Sequence, residues 1–482
     1  MGQLIPVICD EAVPGDRWTI GNELVIRLQP LVAPVMHNIN AIIHYFFVPY
    51  RLLWDKWEEF ITGGVDGLNS DTLPRWIPDA AGCAKYSLWD YLGFPVDIAP
   101  AGRYPMDFPR SAYAKIYNDF YRDETLQEEK PLINQSILLR SWQKDYFTSA
   151  LPWQQRGIAV ALPVTGQSTA VWQDSQFSAV SSSGGHLHVS PTADTPKLRI
   201  DDSSGSMVQN LKDFFGSNVV DLNNLSTFDV ADLRLAFQIQ KWMERNARAG
   251  VRYTEALKAH FGVSPRDDRL QRAEYITGTK QPVIISEVLQ TSGTPNADNP
   301  EPSATYTKEP LGTMGGHGIS VNRQQAGTYN VLEHGLIMGL LSIMPEPTYQ
   351  QGINRQWLRE TKYDFFWPEF VNLSEQAIEQ VEIYATGTES ENKKLFGYQG
   401  RYDELRYKPS MVAADFRDVF NYWHLGRIFE SAPALNEDFI QCLPQKRIFA
   451  VQSEPGFMVQ IRNIIKAIRP LPVIAEPGMI DH

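Results

Sequence analysis

The sequence predicts a mainly β chain in which widely separated strands form a jelly roll carrying long, ordered loops. Three observations lead there. Short runs rich in β-branched and aromatic residues are bounded by Pro or Gly, as strands are. The connections between them run to roughly 20–60 residues, with no internal period of the kind a solenoid or propeller requires. The 482 residues include 32 Pro, 33 Gly and 12 Trp, which suits rigid turns and broad contact surfaces better than helical bundles.

In the first fifty residues, Glu23-Leu-Val-Ile-Arg-Leu-Gln-Pro30 partly alternates. Ala41-Ile-Ile-His-Tyr-Phe-Phe-Val48 is apolar on both faces, as a strand covered on both sides is. Strands are expected over 24–36 and 41–48. Pro49 ends the second, and a helix follows over 51–60 with Leu53, Trp57 and Phe60 at helical spacing, closed by Gly63-Gly64. Residues 65–157 interleave Pro, Gly and aromatics around a short helix over 111–122. They hold too many rings to be disordered, so they must order against a core or a neighbouring chain. From about Gly166 to Thr227, Ser and Gly become frequent and aromatic-rich runs disappear, the mark of a surface insertion. A helix then starts at Asp229 as N-cap, with Leu233, Phe237 and Met243 towards one face and Gly250 at its end. A second helix is expected over 253–261. Strands are expected again over 281–289, 336–344, 380–384, 446–451 and 456–468. The chain thus divides into 1–165, the insertion 166–227, and 228–482.

Hydrophobic residues make up 43% and charged residues 21%, ordinary for a globular chain with a large core. The net charge of −12 suits the chain poorly to coating nucleic acid unaided, because phosphate binding draws on local excesses of Lys and Arg. Cys9, Cys83 and Cys442 lie far apart and form no ligand spacing, so reduced thiols are expected, with neither a zinc site nor a disulfide framework. No signal peptide or myristoylation motif opens the chain. The most apolar run, 335–344, is about half the length a membrane helix needs, and no membrane contact is expected.

The usual nucleotide, zinc-protease and serine-hydrolase motifs are absent. Gly312-Thr-Met-Gly-Gly-His-Gly318 is glycine-rich but follows no strand-to-helix pattern, and reads as a flexible surface loop rather than a phosphate cradle. His186 and His188 could share a strand face, yet no third ligand is near in sequence, and their Gly/Ser and Pro flanks make them read as a solvated loop pair rather than a metal site. The adjacent acids Asp201-Asp202 and Asp267-Asp268 read as solvated turns or helix N-termini. No catalytic residue, metal or cofactor is expected.

Two zones are locally basic. Between 241 and 272 lie Lys241, Arg245, Arg248, Arg252, Lys258, Arg266, Arg269 and Arg272; near the C-terminus lie Lys446, Arg447, Arg462, Lys466 and Arg469. Ion pairing within and between subunits accounts for such Arg as readily as contact with DNA does. The second set is the better candidate for facing DNA.

Several stretches together resemble the major capsid proteins of the Microviridae, specifically the gokushovirus branch of small icosahedral single-stranded DNA bacteriophages. They include Val13-Pro-Gly-Asp16, Ala33-Pro-Val-Met36, and His44-Tyr-Phe-Phe-Val-Pro-Tyr-Arg-Leu-Leu-Trp54. Further on come Asp145-Tyr-Phe-Thr-Ser-Ala-Leu-Pro-Trp153, Leu233-Arg-Leu-Ala-Phe-Gln-Ile-Gln-Lys241, Arg252-Tyr-Thr-Glu255 and His260-Phe-Gly-Val263. Tyr398-Gln-Gly-Arg-Tyr402, Arg406-Tyr-Lys-Pro409 and Arg469-Pro-Leu-Pro472 complete the series. The resemblance covers nearly the whole chain outside 166–227. Family members often carry more residues ahead of the Val-Pro-Gly-Asp stretch, so an N-terminal arm is expected to be either missing or short here.

The resemblance implies an eight-stranded antiparallel jelly roll of viral capsid type, whose inserted loops make most inter-subunit contacts. It implies a subunit that assembles with itself into a T=1 icosahedral shell around circular single-stranded DNA, in the host bacterial cytoplasm. Its implied partners are a small basic DNA-binding virion protein, a pilot or minor virion protein, and a host surface receptor. The insertion 166–227 corresponds to a threefold protrusion that attaches to the host, with Val171, Trp172, Phe177, Val180, Phe214 and Phe215 as contacts around the axis. A carbohydrate-binding or carbohydrate-active jelly roll is the main alternative, and would show an acidic pair facing a Trp-lined cleft. A non-viral β-sandwich interaction module is a third reading.

Overall fold

The computed structural model describes residues 1–62, 68–79, 81–100, 102–157, 186–190, 197–201, 207–210, 230–248, 259–260, 271–289 and 314–471. Its contacts divide the chain into two compact units, Met1–Gln154 with Ala247–His482, and Gln155–Asn246.

Eight strands make up the two largest sheets of the first unit: β1 (Ile5–Ala12), β2 (Arg17–Leu28), β3 (Ile39–Pro49), β4 (Glu274–Pro282), β5 (Ile285–Leu289), β6 (Met314–Asn330), β7 (Gly335–Pro345) and β8 (Phe457–Ile468). They form two four-stranded antiparallel sheets, β1-β7-β3-β4 and β8-β2-β6-β5. Side chains alternate across a strand, and β2 shows what that does here. Trp18, Ile20, Leu24, Ile26 and Leu28 point into a shared core, whereas Arg17, Thr19, Glu23, Val25 and Arg27 point away from it. Ala41, Ile43, Tyr45 and Phe47 of β3 and Ile337, Leu341 and Ile343 of β7 fill the same core from the other sheet. Asn22 is the polar exception. Its amide donates across the sandwich to the Tyr45 hydroxyl (3.0 Å) and the Thr279 hydroxyl (3.1 Å), so no buried donor is left unmet there.

The β1-β7-β3-β4 sheet is covered on its other face too. Phe46, Val48, Leu336, Met338 and Leu340 pack against the helix α1 (Phe108–Ile116), through Phe108, Ala112, Tyr113 and Ile116. This explains why all eleven residues of β7 are buried. The Tyr113 hydroxyl, fully buried, donates to the Leu4 carbonyl (2.8 Å) and accepts from the Leu138 amide (2.9 Å), joining helix, N-terminus and loop. α1 runs on into a single wide turn, Tyr117–Tyr121.

The loops carry small cores of their own. Trp76 stacks on Trp89 with ring centres 4.3 Å apart, beside Phe94 and Cys83. Another cluster joins Tyr146, Phe147, Tyr349, Ile378, Ile383, Phe396, Phe439 and Ile440. Two of the stretches that carry the family resemblance are turn locks. The Asp145 carboxylate accepts from the amides of Phe147 (2.9 Å) and Thr148 (2.7 Å), the Thr148 hydroxyl (2.9 Å) and the Tyr349 hydroxyl (2.6 Å). In Val13-Pro-Gly-Asp16, the Asp16 carboxylate accepts from the Val13 amide (3.0 Å) and the Trp18 indole (3.1 Å).

Several expected elements differ. The strand expected over 24–36 ends at Leu28, because Pro30 and Pro34 supply no amide for a ladder. Residues 281–289 are the end of β4 and the whole of β5, which lie in different sheets, so the chain crosses between sheets at Val283-Ile284. Gln380–Ile383 is a helical turn closed by a capping box between Glu379 and Glu382, not a strand. Lys446–Ile448 is a 3-10 turn, not a strand. From Met314 the glycine-rich stretch is strand β6 rather than a loop. The helix expected over 51–60 is a 3-10 turn, Tyr50–Leu52, followed by Trp57–Thr62. That expected over 111–122 starts earlier, at Phe108. The expected helix end at Gly63-Gly64, the N-cap Asp229, the end at Gly250 and most of the helix over 253–261 lie outside the described residues.

In the second unit, His186–Ser190, Lys197–Asp201 and Met207–Asn210 form a three-stranded antiparallel sheet. The helix α2 (Val230–Arg248) begins in this unit, with Phe237 exposed. Among the described residues, no helix is long and apolar enough to cross a membrane.

Candidate functional site

The cleft nearest to a catalytic one is lined by Trp357 and by the carboxylates Glu360, Asp364, Glu379 and Glu382, with Arg355, Arg359, Lys393 and Arg401 beside them. Its acids already serve the scaffold. Glu382 accepts from Arg355 (2.7 Å) and from the Tyr146 hydroxyl (3.0 Å), while burial raises its pKa. Asp364 accepts from the amides of Thr361 (2.7 Å) and Glu360 (3.1 Å) and from the Thr361 hydroxyl (2.9 Å), and the Thr361 amide above all holds its pKa down. Glu382 and Asp364 are thus engaged by groups of the scaffold itself, and Glu379 caps the helical turn that follows it, unlike a poised acid–base pair that faces a substrate. Among the described residues, no cluster of His, Cys, Asp and Glu could hold a metal.

What the chain presents instead is apolar surface held rigidly in the open. Along one segment, Trp357 is 75% exposed, and Ile353, Tyr363, Phe365, Phe366, Trp367 and Leu373 are exposed as well. Backbone anchors fix this display: the Tyr402 hydroxyl donates to the Phe365 carbonyl (2.9 Å), the Trp367 indole to the Lys362 carbonyl (2.9 Å), and Arg401 to the Tyr363 carbonyl (3.1 Å). The loops before residue 157 contribute exposed Leu68, Ile77, Tyr86, Ile98 and Ile133. Large apolar patches on a soluble chain mark places where another molecule sits.

A third surface is the outer face of the β8-β2-β6-β5 sheet. Outward positions place Arg17 and Arg27 on β2, Arg323 on β6, and Arg462 and Lys466 on β8, all exposed. Register sets Glu23 between Arg323 and Arg462, and Arg462 approaches it at 3.6 Å. Val25, Ile319, Val321 and Met458 lie between these charges.

The five basic residues singled out in the sequence divide accordingly. Arg462 and Lys466 stand on this face. Lys446 donates to the carbonyls of Gln452 (3.1 Å) and Glu454 (3.3 Å). Arg447 is spent on the carbonyls of Asn421 and Gly426 (both 2.7 Å) and on Gln445 (2.8 Å), and burial lowers its pKa to about 10. Arg469 donates to the Glu11 carbonyl (2.7 Å), pairs with the buried Asp16 (3.4 Å) and covers the Trp18 ring. Sequence reading missed Arg17, Arg27 and Arg323, whose only signal is alternation along strands about 300 residues apart. Val171, Trp172, Phe177, Val180, Phe214 and Phe215 lie outside the described residues.

A β sandwich that holds aromatic loops out to solvent is consistent with the class of viral shell proteins. Residues 1–479 match the family model described as "Capsid protein (F protein)", and the chain belongs to that family. It is 32% identical to capsid protein VP1 of Chlamydia phage 1, over 99% of this chain and 93% of that one. Identity is 34% to capsid protein VP1 of Bdellovibrio phage phiMH2K, over 91% and 84%. To capsid protein VP1 of Spiroplasma virus 4 it is 28%, over 99% and 92%. The chain is therefore a structural capsid protein of the Microviridae type, gokushovirus-like, with its place in the virion, and not an enzyme.

Proposed function

We propose that the chain assembles with copies of itself into a T=1 icosahedral shell enclosing a circular single-stranded DNA genome, and that its eight sandwich strands are the jelly roll of that shell. The observation that carries this is the set of exposed aromatic residues from Trp357 to Trp367, anchored by backbone hydrogen bonds on a capsid-family sandwich. Preorganised rings lose little entropy on docking, so they favour repeated, specific contacts between copies. The loops over 65–157 and 345–370 are the proposed inter-subunit surface. Electron microscopy of the purified protein tests the reading. Uniform shells are expected, and a protein that stays monomeric under every assembly condition overturns it.

The outer face of the β8-β2-β6-β5 sheet, with Arg17, Arg27, Arg323, Arg462 and Lys466, is the proposed inner lining. In this reading Lys446, Arg447 and Arg469 serve bonds within the chain and are not part of that lining. A shell of subunits of charge −12 needs added cations to hold a polyanion. A small basic virion protein fits that need, and a pilot or minor virion protein completes the particle, assembled in the host bacterial cytoplasm. The insertion 166–227 is the proposed threefold protrusion and host-receptor contact, with Val171, Trp172, Phe177, Val180, Phe214 and Phe215 around the axis. Replacing 168–224 by a short Gly/Ser linker should leave assembly intact and change attachment. Unchanged infectivity would remove the receptor role.

A further inference from the structure

A cavity of about 610 Å³ opens beside the covered face of the β1-β7-β3-β4 sheet, between β3, β4, the wide turn after α1 and the loop that begins at Arg140. It lies on the side of the sandwich away from the basic sheet face. Arg140, Lys144 and Lys280 line it, and no Asp or Glu does, in a chain whose acids outnumber its basic residues 56 to 44.

Two of these cations have no counter-charge of their own. Arg140 donates to the Ser342 hydroxyl (3.0 Å) and lies over the Tyr121 ring at 5.4 Å, but pairs with no carboxylate among the described residues. Lys280 is exposed and likewise has no ion-pair partner among them. Lys144, by contrast, is held by the Asp123 carboxylate. The Ser141 hydroxyl, also in the lining, is buried with no hydrogen-bond partner among the described residues. Phe120 and Tyr275 present accessible rings on the same wall. Gly278 keeps the floor open, since a Cβ there would lie 2.6 Å from the Tyr275 hydroxyl and 2.7 Å from the His44 ring. Withdrawing a guanidinium from water without a counter-charge is costly, so the complement of this wall is a carboxylate carried beside an aromatic ring.

The chain itself carries that complement. In the 3-10 turn Pro368–Phe370, Glu369 is exposed and pairs with no cation among the described residues. Phe366 and Trp367 stand just before it, 50% and 49% exposed. The segment is rigid: the Tyr402 hydroxyl donates to the Phe365 carbonyl, the Trp367 indole to the Lys362 carbonyl, and the Phe366 ring packs edge-on against Tyr402 at 5.1 Å. Acid and rings are thus presented together with little entropy left to lose. Copies of a chain of charge −12 repel one another, so an acid-free cationic cavity is where a neighbour's carboxylate meets attraction instead. A cavity at one place and a projecting loop at another make a head-to-tail contact, the kind that closes into rings when its rotation allows.

We infer that this cavity receives the 365–370 loop of a second copy of the chain, with the Glu369 carboxylate on Arg140 and Lys280 and the loop's rings against Phe120 and Tyr275. This rests on the proposed self-assembly, and names the surface onto which that loop docks.

The test is a charge exchange in the full-length chain, read by sedimentation velocity over a concentration series. Glu369→Lys and Lys280→Glu should each raise the subunit concentration at which association begins by about tenfold or more, as loss of a charge-assisted contact does. Both together should return it to within about threefold of the parent, because the pair is restored in reverse. Tyr275→Ala, at a half-exposed ring, should raise it about fivefold, as loss of an aromatic pair does. Urea unfolding of the dissociated charge variants should match the parent, since neither side chain pairs within its own chain. Association unchanged in either single charge variant, or a double variant as impaired as the two singles combined, would overturn the inference. An effect of Lys280→Glu without one of Glu369→Lys would overturn it too, by giving the cavity to a different acid. Electron microscopy separates the two readings: uniform shells from every variant at the parent's concentration remove this contact alone, whereas a parent that stays monomeric removes the contact and the shell together.

Discussion

Trp357 offers the most direct measure of whether the aromatic loop is a contact surface. The residue is 75% exposed, and it ends a turn capped by Asn354. A Trp buries up to about 250 Å², so about 190 Å² remains available for a neighbour. At about 25 cal/mol/Å² that area corresponds to at most about 5 kcal/mol. After the entropy of ordering the ring, about 2–4 kcal/mol remains, the size expected of an interface anchor. Trp357→Ala should therefore weaken each contact roughly 30- to 1,000-fold. Sedimentation velocity across a concentration series would show assembly starting at a correspondingly higher subunit concentration. Urea unfolding of the dissociated subunit should change little, because three quarters of the residue lies outside the chain's own packing. Assembly at the original concentration would refute the contact surface, and a lowered unfolding midpoint would refute the claim that the ring is free.

Other perturbations probe the scaffold and the lining. Tyr113→Phe removes one oxygen yet strands the Leu4 carbonyl and the Leu138 amide, both its partners; about 2–4 kcal/mol of stability should be lost on urea unfolding, and a loss under about 0.5 kcal/mol would contradict the pairing. Burial, with Arg140 adding to it, pushes the His44 pKa down to about 4 from 6.5. The unfolded chain then binds more protons between those values, so stability should be full above about pH 6.5 and fall as pH drops towards 4. His44→Asn should flatten that slope, and a slope of opposite sign would exclude the buried neutral ring. Arg462→Gln combined with Lys466→Gln should reduce DNA content per particle, with a shallower salt dependence than the parent; unchanged packaging would remove these side chains from the lining.

The fold was legible wherever one segment carried its own signal. β3 and β7 could be read directly, since a strand covered on both faces is apolar at nearly every position. β1 and β6 could not. Ile5–Ala12 mixes polar and apolar residues because it is an edge strand, and Met314–Asn330 opens with glycines that admit close neighbours. At Gly316 a Cβ would lie 2.6 Å from the Ala33 carbonyl oxygen, so glycine there allows two backbones to approach rather than loosening a loop. The merging of β4 and β5 has a related cause. Val283 and Ile284 continue the apolar run while the chain changes sheets, and composition cannot register a change of hydrogen-bond partner.

The interaction surfaces show a harder limit. Counting charges along the sequence groups Lys446, Arg447, Arg462, Lys466 and Arg469, because proximity in sequence is all such counting measures. Folding separates them by what each guanidinium or ammonium meets. Arg447 and Arg469 bond backbone carbonyls that no side chain type announces in advance, whereas Arg462 and Lys466 stay at outward positions of an edge strand. Conversely, Arg323 joins Arg462 only because Glu23 stands between them in register, across strands drawn from three distant parts of the chain. Free charge is a property of the assembled sheet. Reading it requires the alternation of each strand and the pairing of all three, so mutating Glu23→Gln should loosen Arg462 and Arg323 together. Both would then be released to an anion, and the double substitution of those arginines should erase any gain in DNA retention that Glu23→Gln produces. If Glu23→Gln gave no gain, or the gain survived loss of both arginines, the three residues would not act as one surface.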